Sequence, residues 1–261
     1  MTRTPELDAA LRDLADDARR GAALVALDFD GVLAPLRDDP TAARPLPEAT
    51  AALHRLAGHG VPLAIVSGRA LANLAERAGA PPGTRLVGGH GAERGYIGAD
   101  GAFEPEPFAL SPDAAARLAA LAADLGRLVA GTTAWVEHKP ASVVLHTRTA
   151  TADDAARVTP AAIDAGRAAG VDVLPGKDVV ELSVLDVSKG TALRDLRAEL
   201  GVARVLYVGD DVTDERAFAV LGPGDVGVKV GDGPTAAAHR VPDPAAVAAA
   251  LTHLADLVAT G

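Results

Sequence analysis

The chain has 261 residues, of which 49% are hydrophobic and 23% are charged, enough to bury the core of one large domain or two modest ones. Its formal net charge of -10 repels the phosphate backbone of nucleic acids, which argues against general nucleic-acid binding. It contains no cysteine, which excludes disulfide and thiolate chemistry. An acidic protein that handles an anionic phosphate would need a local cation, so a metal is expected.

The N-terminal segment, MTRTPELDAALRDLADDARRG, is polar and acidic and lacks the basic start and apolar stretch of a signal peptide. No run approaches the roughly 18 apolar residues that a membrane-spanning helix needs. We therefore expect a cytoplasmic protein with no membrane partner, and a monomer.

Three short apolar runs end in polar or glycine residues. They cover residues 22–27, 62–66 and 204–208, and they precede Asp28, Ser67 and Gly209. Runs of this kind suit strands that are buried on both faces of a parallel sheet. Stretches with helical spacing, such as 48–57 and 188–200, lie between them. This alternation predicts an α/β fold with a Rossmann-like parallel-sheet core, in which the ligand binds beyond the carboxyl ends of the strands.

The middle of the chain has a different pattern. Residues 95–103 indicate a hairpin that turns around 99–101, and a proline-rich stretch follows. Helices are predicted at 111–128 and 153–169, and strands at 134–136, 143–147 and 179–184. We interpret residues 107–183 as a smaller α/β cap domain inserted into a core domain made of residues 1–106 and 184–261, with linkers near Pro105 and Asp186. A closing amphipathic helix is predicted from Asp243.

The strongest motif is Asp28-Phe29-Asp30-Gly31 after the first apolar run. Two carboxylates so close together repel each other unless a cation lies between them or one stays protonated. Gly31 permits a sharp turn. A solvated acidic turn is the structural alternative for this motif taken alone.

A second acidic motif, Gly209-Asp210-Asp211-Val212-Thr213-Asp214-Glu215, follows the third apolar run. Carboxylate oxygens suit magnesium, with Asp210 as a direct ligand and Asp214 holding a coordinated water. The alternative is a cap for a helix through 216–220. That role accounts for one acidic residue but not for four in seven positions.

Two weaker motifs are predicted at helix starts, where backbone amides can bind a phosphate. They are Ser67-Gly68-Arg69 and Ser188-Lys189-Gly190. In the second, Lys189 could bind a phosphate as a point charge.

The order of these four motifs resembles the haloacid dehalogenase superfamily over nearly the whole chain. The resemblance implies that Asp28 attacks phosphorus and forms an aspartyl-phosphate. It implies that Asp30 protonates the leaving oxygen and then activates water, and that Ser67 and Lys189 hold the phosphoryl oxygens. Mg²⁺ would be held by Asp28, the backbone carbonyl of Asp30, and Asp210, with Asp214 beyond.

Within that superfamily, the predicted cap domain looks like that of the trehalose-6-phosphate phosphatases. The pattern consists of Glu137-x-Lys139, then His146-x-Arg148, then Gly176-Lys177-x-x-x-Glu181, and the segment Gly89-His90-Gly91 also fits. The resemblance implies a small-molecule sugar phosphate as partner. The implied substrate-binding residues are Arg69, Gly89, His90, Glu137, Lys139, His146, Arg148, Lys177 and Glu181.

Two features depart from the pattern. Val32 stands where threonine is common, and residues 182–187 lack the usual basic and proline residues. Three alternatives stay open: a phosphatase for another sugar phosphate, a hexose phosphomutase, and a non-catalytic sugar-phosphate binding protein. The implied reaction is the hydrolysis of trehalose 6-phosphate to trehalose and inorganic phosphate.

Overall fold

The computed structural model of the protein describes residues 4–37 and 39–260. Two short 3-10 turns lie at Pro40–Ala42 and Gly89–Gly91. In chain order, the helices and strands are α1 (Pro5–Arg19), β1 (Ala23–Leu27), α2 (Pro47–Gly58), β2 (Leu63–Val66), α3 (Leu71–Ala78), β3 (Arg85–Gly88), β4 (Glu93–Ile97), β5 (Phe103–Pro105), α4 (Pro112–Val129), β6 (Trp135–His138), β7 (Ser142–His146), α5 (Ala152–Ala168), β8 (Asp172–Gly176), β9 (Val179–Ser183), α6 (Lys189–Leu200), β10 (Arg204–Gly209), α7 (Glu215–Phe218), β11 (Val226–Val230), β12 (His239–Val241) and α8 (Pro244–Thr260). None of the helices in the described ranges is long and apolar enough to cross a bilayer.

The chain forms two compact units. The first contains the chain up to Glu106 and from Val187 onward, and the second is Pro107–Asp186. The second unit therefore runs three residues past the limit drawn at residue 183 from the sequence. The physical reason is Val184, which is buried in the hydrophobic core of the second unit.

The first unit is built on a mixed sheet. Its eight described strands follow the order β12-β11-β10-β1-β2-β3-β4-β5. The strand pairs from β12 to β3 are parallel, whereas β4 and β5 add to the edge in antiparallel fashion. The predicted α/β class is thus confirmed, and the predicted hairpin supplies the antiparallel edge.

Strand β1 shows why the apolar runs are continuous. Val25 and Leu27 pack on one face of the sheet, in a core with α1, α2, α3 and α8. Leu24 and Ala26 pack on the opposite face, in a core with α6 and α7. A strand covered by helices on both sides needs apolar residues at every position. The same arrangement brings the carboxyl ends of β1, β2, β3 and β10 to one edge of the sheet.

The second unit has a four-stranded antiparallel sheet in the order β6-β7-β9-β8. Val143 and Leu145 of β7 and Leu182 of β9 face a core shared with α4 and α5. The alternate residues point to the other face, because side chains along a strand alternate in direction. That second face carries the polar residues described below.

Candidate active site

Asp28 lies immediately beyond the carboxyl end of β1 and is almost fully buried. Its backbone N–H donates to the carbonyl oxygen of Val208 on neighbouring β10 at 2.9 Å, which continues the sheet by one residue. Its Oδ1 accepts from the N–H of Phe29 at 2.6 Å, and its Oδ2 lies 2.7 Å from Nζ of Lys189. The sheet therefore fixes the backbone of Asp28, and Lys189 fixes its carboxylate.

Lys189 is the first residue of α6 and is buried with its charge paired. Ser188 caps this helix, as its side chain accepts from the N–H of Thr191 and the Thr191 hydroxyl accepts from the N–H of Ser188. The Lys189 ammonium also donates to Oδ1 of Asp214 at 2.8 Å. The helix cap thus aims one lysine between two buried carboxylates.

Asp214 is completely buried and accepts from four donors. Its Oδ1 receives hydrogen bonds from Lys189 and from the hydroxyl of Tyr207, the latter at 2.6 Å. Its Oδ2 receives the backbone N–H groups of Asp210 and Asp211, both at 2.9 Å. Asp214 stands at the N-cap position of α7, as considered from the sequence, but its side chain makes no capping bond to the helix and holds the preceding loop instead.

Asp28, Asp210 and Asp214 each offer a carboxylate oxygen within 4.8 Å of the others. The ammonium of Lys189 pairs directly with two of the three carboxylates, and that of Lys229 donates to the backbone carbonyl of Asp210. If all three carboxylates are ionised, they still outnumber these two ammonium groups. Hard carboxylate oxygens are the donors that Mg²⁺ prefers. The donor set and its charge therefore fit one divalent cation, held most directly by Asp28 and Asp210 because the oxygens of Asp214 already accept four hydrogen bonds.

Gly31 allows the two acidic motifs to approach each other. Its φ is +72°, a left-handed conformation that favours glycine. A Cβ atom at this position would lie 2.0 Å from Oδ2 of Asp210. The glycine of the first motif is therefore needed both for the turn and for the space that the Asp210 carboxylate occupies.

The pKa values in this cluster follow from burial and charge. Burial raises the pKa of Asp28 well above its ordinary value, and the charge of Asp214 adds to the effect. Burial and Asp214 likewise raise the pKa of Asp210 to about 6. Burial opposes the charge on Lys189, but Asp28 and Asp214 outweigh it and raise the pKa of the ammonium. Burial also acts to raise the pKa of Asp214, yet Lys189 and Tyr207 bring it below the ordinary value.

Asp30 is paired with Arg69. The guanidinium contacts both carboxylate oxygens of Asp30, at 2.6 and 2.7 Å, and it lies over the ring of Phe29 at 5.2 Å. The carboxylate of Asp30 is thus outside the three-residue acidic cluster. This does not conflict with the predicted metal site, in which Asp30 contributes only its backbone carbonyl. Arg69, which the resemblance assigns to the substrate, orients the predicted acid in this arrangement.

The loop after β2 contains Ser67 but is not a helix start. Helix α3 begins at Leu71 with Ala70 at its N-cap, so the prediction of a helix N-terminus at Ser67 is wrong. The Ser67 hydroxyl instead accepts from the N–H of Arg69 at 3.2 Å.

That 3-10 turn follows β3 and carries Gly89 and His90. The N–H of His90 donates to the carbonyl of Ser67 at 3.0 Å, and the N–H of Gly89 donates to the carbonyl of Arg69 at 2.8 Å. A Cβ on Gly68 would lie 2.4 Å from the imidazole of His90. The structure therefore brings these two loops into contact, and the predicted residues of the first unit lie on adjoining loops at one edge of its sheet.

The second unit gathers four predicted substrate residues on the polar face of its sheet. Nζ of Lys139 lies 3.0 Å from Oε2 of Glu181, whose Oε1 accepts from the Ser142 hydroxyl at 2.6 Å. Nε2 of His146 lies 2.9 Å from Oε2 of Glu137. Glu137 of β6 and Glu181 of β9 are the two cross-strand partners of Val144 on the central strand β7.

Arg148 and Lys177 lie outside this group, on exposed turns that follow β7 and β8. Their turns adjoin, because the N–H of Thr147 donates to the carbonyl of Asp178 at 2.9 Å. The structure thus separates the predicted sugar-binding residues into two sets, four on the sheet face and two at the end of the strands.

Three residues of these two regions were not singled out from the sequence. Tyr207 contacts Asp214 from the middle of an apolar strand, where it is indistinguishable from a core aromatic. Lys229 is buried in β11, and its Nζ donates to the backbone carbonyl of Asp210. A lysine inside the apolar run Val226–Val230 is the signal that could have found it. Trp135, next to the Glu137 motif, is stacked on His146.

The chain is similar to several known proteins. The family model described as trehalose-phosphatase matches residues 26–244. A trehalose-phosphate phosphatase of Mycobacterium avium is 38% identical over all of this chain and 69% of its own length. One of Mycolicibacterium paratuberculosis is 37% identical with the same coverage. The C-terminal domain of a trehalose-6-phosphate phosphatase of C. albicans superposes with a TM-score of 0.75 at 24% identity, over 95% of this chain and 97% of that one.

Proposed function

Because the chain belongs to the trehalose-phosphatase family, we propose that it hydrolyses trehalose 6-phosphate to trehalose and inorganic phosphate. The observation that supports phosphatase chemistry most directly is the buried contact of Lys189 with both Asp28 and Asp214, next to Asp210. The main obstacle to attack is the repulsion between a carboxylate nucleophile and a phosphate monoester dianion. An ammonium group and a divalent cation site beside the carboxylate would offset that repulsion.

Asp28 is the proposed nucleophile. Its carboxylate oxygen would bond to phosphorus as the bond from phosphorus to the sugar oxygen breaks, which leaves an aspartyl-phosphate. Lys189 and the Ser67 hydroxyl would hold the phosphoryl oxygens. Asp30 would give a proton to the departing sugar oxygen and later take one from the water that hydrolyses the intermediate. For either step the carboxylate of Asp30 must share or release its contact with Arg69, whose guanidinium is then available to the phosphate.

Mg²⁺ is the proposed cofactor. Asp28, the backbone carbonyl of Asp30 and Asp210 would hold it, and Asp214 would support the site through the loop amides and Lys189. When bound, the ion supplies charge neutralisation for the phosphoryl group. Its proposed ligands are oxygens only, which favours magnesium over metals that prefer nitrogen or sulfur.

The polar sheet face of the second unit is the proposed sugar-binding surface. Glu137, Lys139, His146 and Glu181 present donors and acceptors that suit hydroxyl groups. The charge of Lys139 is paired with that of Glu181, and Glu137 is hydrogen-bonded to the ring of His146. Paired charges keep the face polar without a strong net attraction for anions. This favours a polyol over a second phosphate.

The test is a screen of sugar phosphates by release of inorganic phosphate, with and without magnesium. We expect trehalose 6-phosphate to be hydrolysed faster than glucose 6-phosphate, and chelation to stop turnover. The Asp28→Asn variant should fold but lose at least about 10³-fold in kcat, because an amide cannot form the acyl-phosphate. A wild-type protein that prefers glucose 6-phosphate would overturn the substrate assignment. Normal turnover by Asp28→Asn would overturn the mechanism.

A further inference from the structure

Trp135 occupies an unusual position in the second unit. It is the single tryptophan of the chain, and 48% of its surface is exposed. It lies on β6, which is an edge strand of the described sheet, so no further strand covers its outer side. Tryptophan is a large apolar side chain that is usually well buried.

The indole ring has one face covered and fixed. It stacks on the imidazole of His146, with ring centroids 3.9 Å apart and the planes only 6° from parallel. The two residues are direct partners across β6 and β7. His146 in turn is held by Glu137 at 2.9 Å. This chain of contacts fixes the orientation of the indole ring and covers one of its faces, while the residue as a whole remains 48% exposed.

The exposed ring adjoins hydrogen-bonding groups. Trp135, Glu137 and Lys139 alternate along the same segment, so their side chains project from the same face of the sheet. Glu181 joins that face through its contact with Lys139. A flat apolar surface beside carboxylates and an ammonium matches a pyranose ring, which has C–H groups on its flat faces and hydroxyl groups around its rim.

We propose that Trp135 is a sugar-stacking residue, whose exposed indole face packs against a pyranose ring of the disaccharide while Glu137 and its neighbours bind the hydroxyl groups. The proposal rests on the proposed function, because it assigns a specificity residue to the same substrate. Cross-strand pairing with His146 uses only one face of the indole ring. The proposal gives a role to the other face.

The first experiment uses the intrinsic fluorescence of the full chain, in which tryptophan emission comes from Trp135 alone. The Asp28→Asn variant would be titrated with trehalose 6-phosphate, trehalose and inorganic phosphate. We expect a saturable change in emission with both sugars and none with inorganic phosphate. Unchanged emission at sugar concentrations where calorimetry detects binding would overturn the proposal.

The second experiment separates stacking from a purely structural role. Trp135→Leu keeps an apolar side chain without a flat ring, and Trp135→Phe keeps a ring. For trehalose 6-phosphate we expect KM to rise about tenfold in Trp135→Leu but no more than about threefold in Trp135→Phe, the range given by aromatic stacking. Hydrolysis of a small aryl phosphate should stay at the wild-type rate in both variants.

The matched control is His138→Ala, which removes an exposed ring from the opposite face of the same strand. It should change neither KM for trehalose 6-phosphate nor the rate of aryl phosphate hydrolysis. Equal KM values for wild type and Trp135→Leu would overturn the stacking role, as would an equal loss with the aryl phosphate. These outcomes differ from failure of the proposed function. In that case the wild type itself would show no preference for trehalose 6-phosphate, whatever the variants do.

Discussion

The Nζ atom of Lys189 lies 2.7 Å from Oδ2 of Asp28, and both side chains are almost inaccessible to solvent. A buried lysine is stable only when its charge is compensated, and the charges of Asp28 and Asp214 raise its pKa despite burial. The ammonium therefore stays protonated under all ordinary conditions. It partly offsets the charge of the proposed nucleophile before any phosphate arrives.

Replacing Lys189 should affect stability as well as activity. In Lys189→Met the carboxylates of Asp28 and Asp214 lose their shared partner in a buried site, which should cost about 3 to 5 kcal/mol in the free energy of unfolding. Urea unfolding in the presence of a chelator would measure this. Phosphatase activity should be lost even where the protein is folded.

The double variant Lys189→Met/Asp214→Asn provides the control for this prediction. It removes one of the two negative charges that are left without a partner in Lys189→Met. The free energy of unfolding should therefore recover in part while activity stays absent. If Lys189→Met unfolds at the same urea concentration as the wild type, the buried pair has no net role in stability. Arg167→Met, which removes an exposed charge of α5 in the second unit, should change neither property.

Gly31→Ala should abolish activity through a clash and not through backbone strain alone. The added methyl group would overlap the Asp210 carboxylate, so the proposed metal site should be distorted. Gly101→Ala is the matched control, because Gly101 has a similar φ of +83° but open space around its Cβ position. Each left-handed alanine should cost about 1 to 2 kcal/mol.

Activity distinguishes the two glycine variants. Gly101→Ala should keep wild-type kcat, and Gly31→Ala should lose it and should no longer be stabilised by magnesium. The measurement is phosphate release together with thermal unfolding. Full activity in Gly31→Ala would show that the close approach to Asp210 is dispensable.

The pKa of Asp210 predicts how magnesium binding depends on pH. Its value of about 6 exceeds the ordinary 3.8, so in metal-free protein this group contributes stability that is fully present below about pH 4 and is lost as the pH rises through 6. Magnesium requires the carboxylate and competes with the proton. The magnesium-induced rise in Tm should thus be on the order of 5 °C at pH 7.5 and much smaller at pH 5.

Asp210→Asn should eliminate the magnesium-induced rise and increase the Tm of the metal-free protein at pH 7.5. Asp211→Asn serves as the control, since Asp211 is an exposed neighbour outside the acidic cluster. A magnesium effect of the same size at both pH values would contradict the role of Asp210 as a ligand.

Much of the first unit could be predicted because its strands are buried on both faces. The runs that precede Asp28, Ser67 and Asp210 are continuous and apolar for that reason, and the parallel sheet then places their ends together. Helix α1 was not predicted, although Leu7, Leu11 and Leu14 have helical spacing and are buried. Its acidic surface dominates the composition and conceals this narrow apolar stripe.

The rest depends on tertiary contacts that sequence spacing does not contain. Strand β8 was missed because it is a short edge strand with Pro175 near its end, a position that edge strands tolerate. The pairing of Asp30 with Arg69 joins residues 39 positions apart, and that of Lys139 with Glu181 joins residues 42 apart. The residue types were recognisable, but their partners were not.

Glu181 provides the sharpest test of the proposed sugar-binding face. It is largely buried and holds both Lys139 and Ser142, so it has a structural role that must be separated from sugar binding. Glu181→Ala should lower kcat/KM for trehalose 6-phosphate by about 100-fold, as expected when a charged hydrogen-bonding group is removed and its partners are left unpaired. Part of this loss should appear in kcat, because contacts remote from the reacting atoms can act on the chemical step. Hydrolysis of a small aryl phosphate, which has no sugar to bind, should be nearly unchanged.

The control variant is Glu181→Gln, which keeps the side-chain volume and the contact with Ser142 but removes the charge. Its kcat/KM for trehalose 6-phosphate should lie between those of the wild type and Glu181→Ala. An equal loss with both substrates would mean that Glu181 supports the fold or the chemistry and does not bind the sugar.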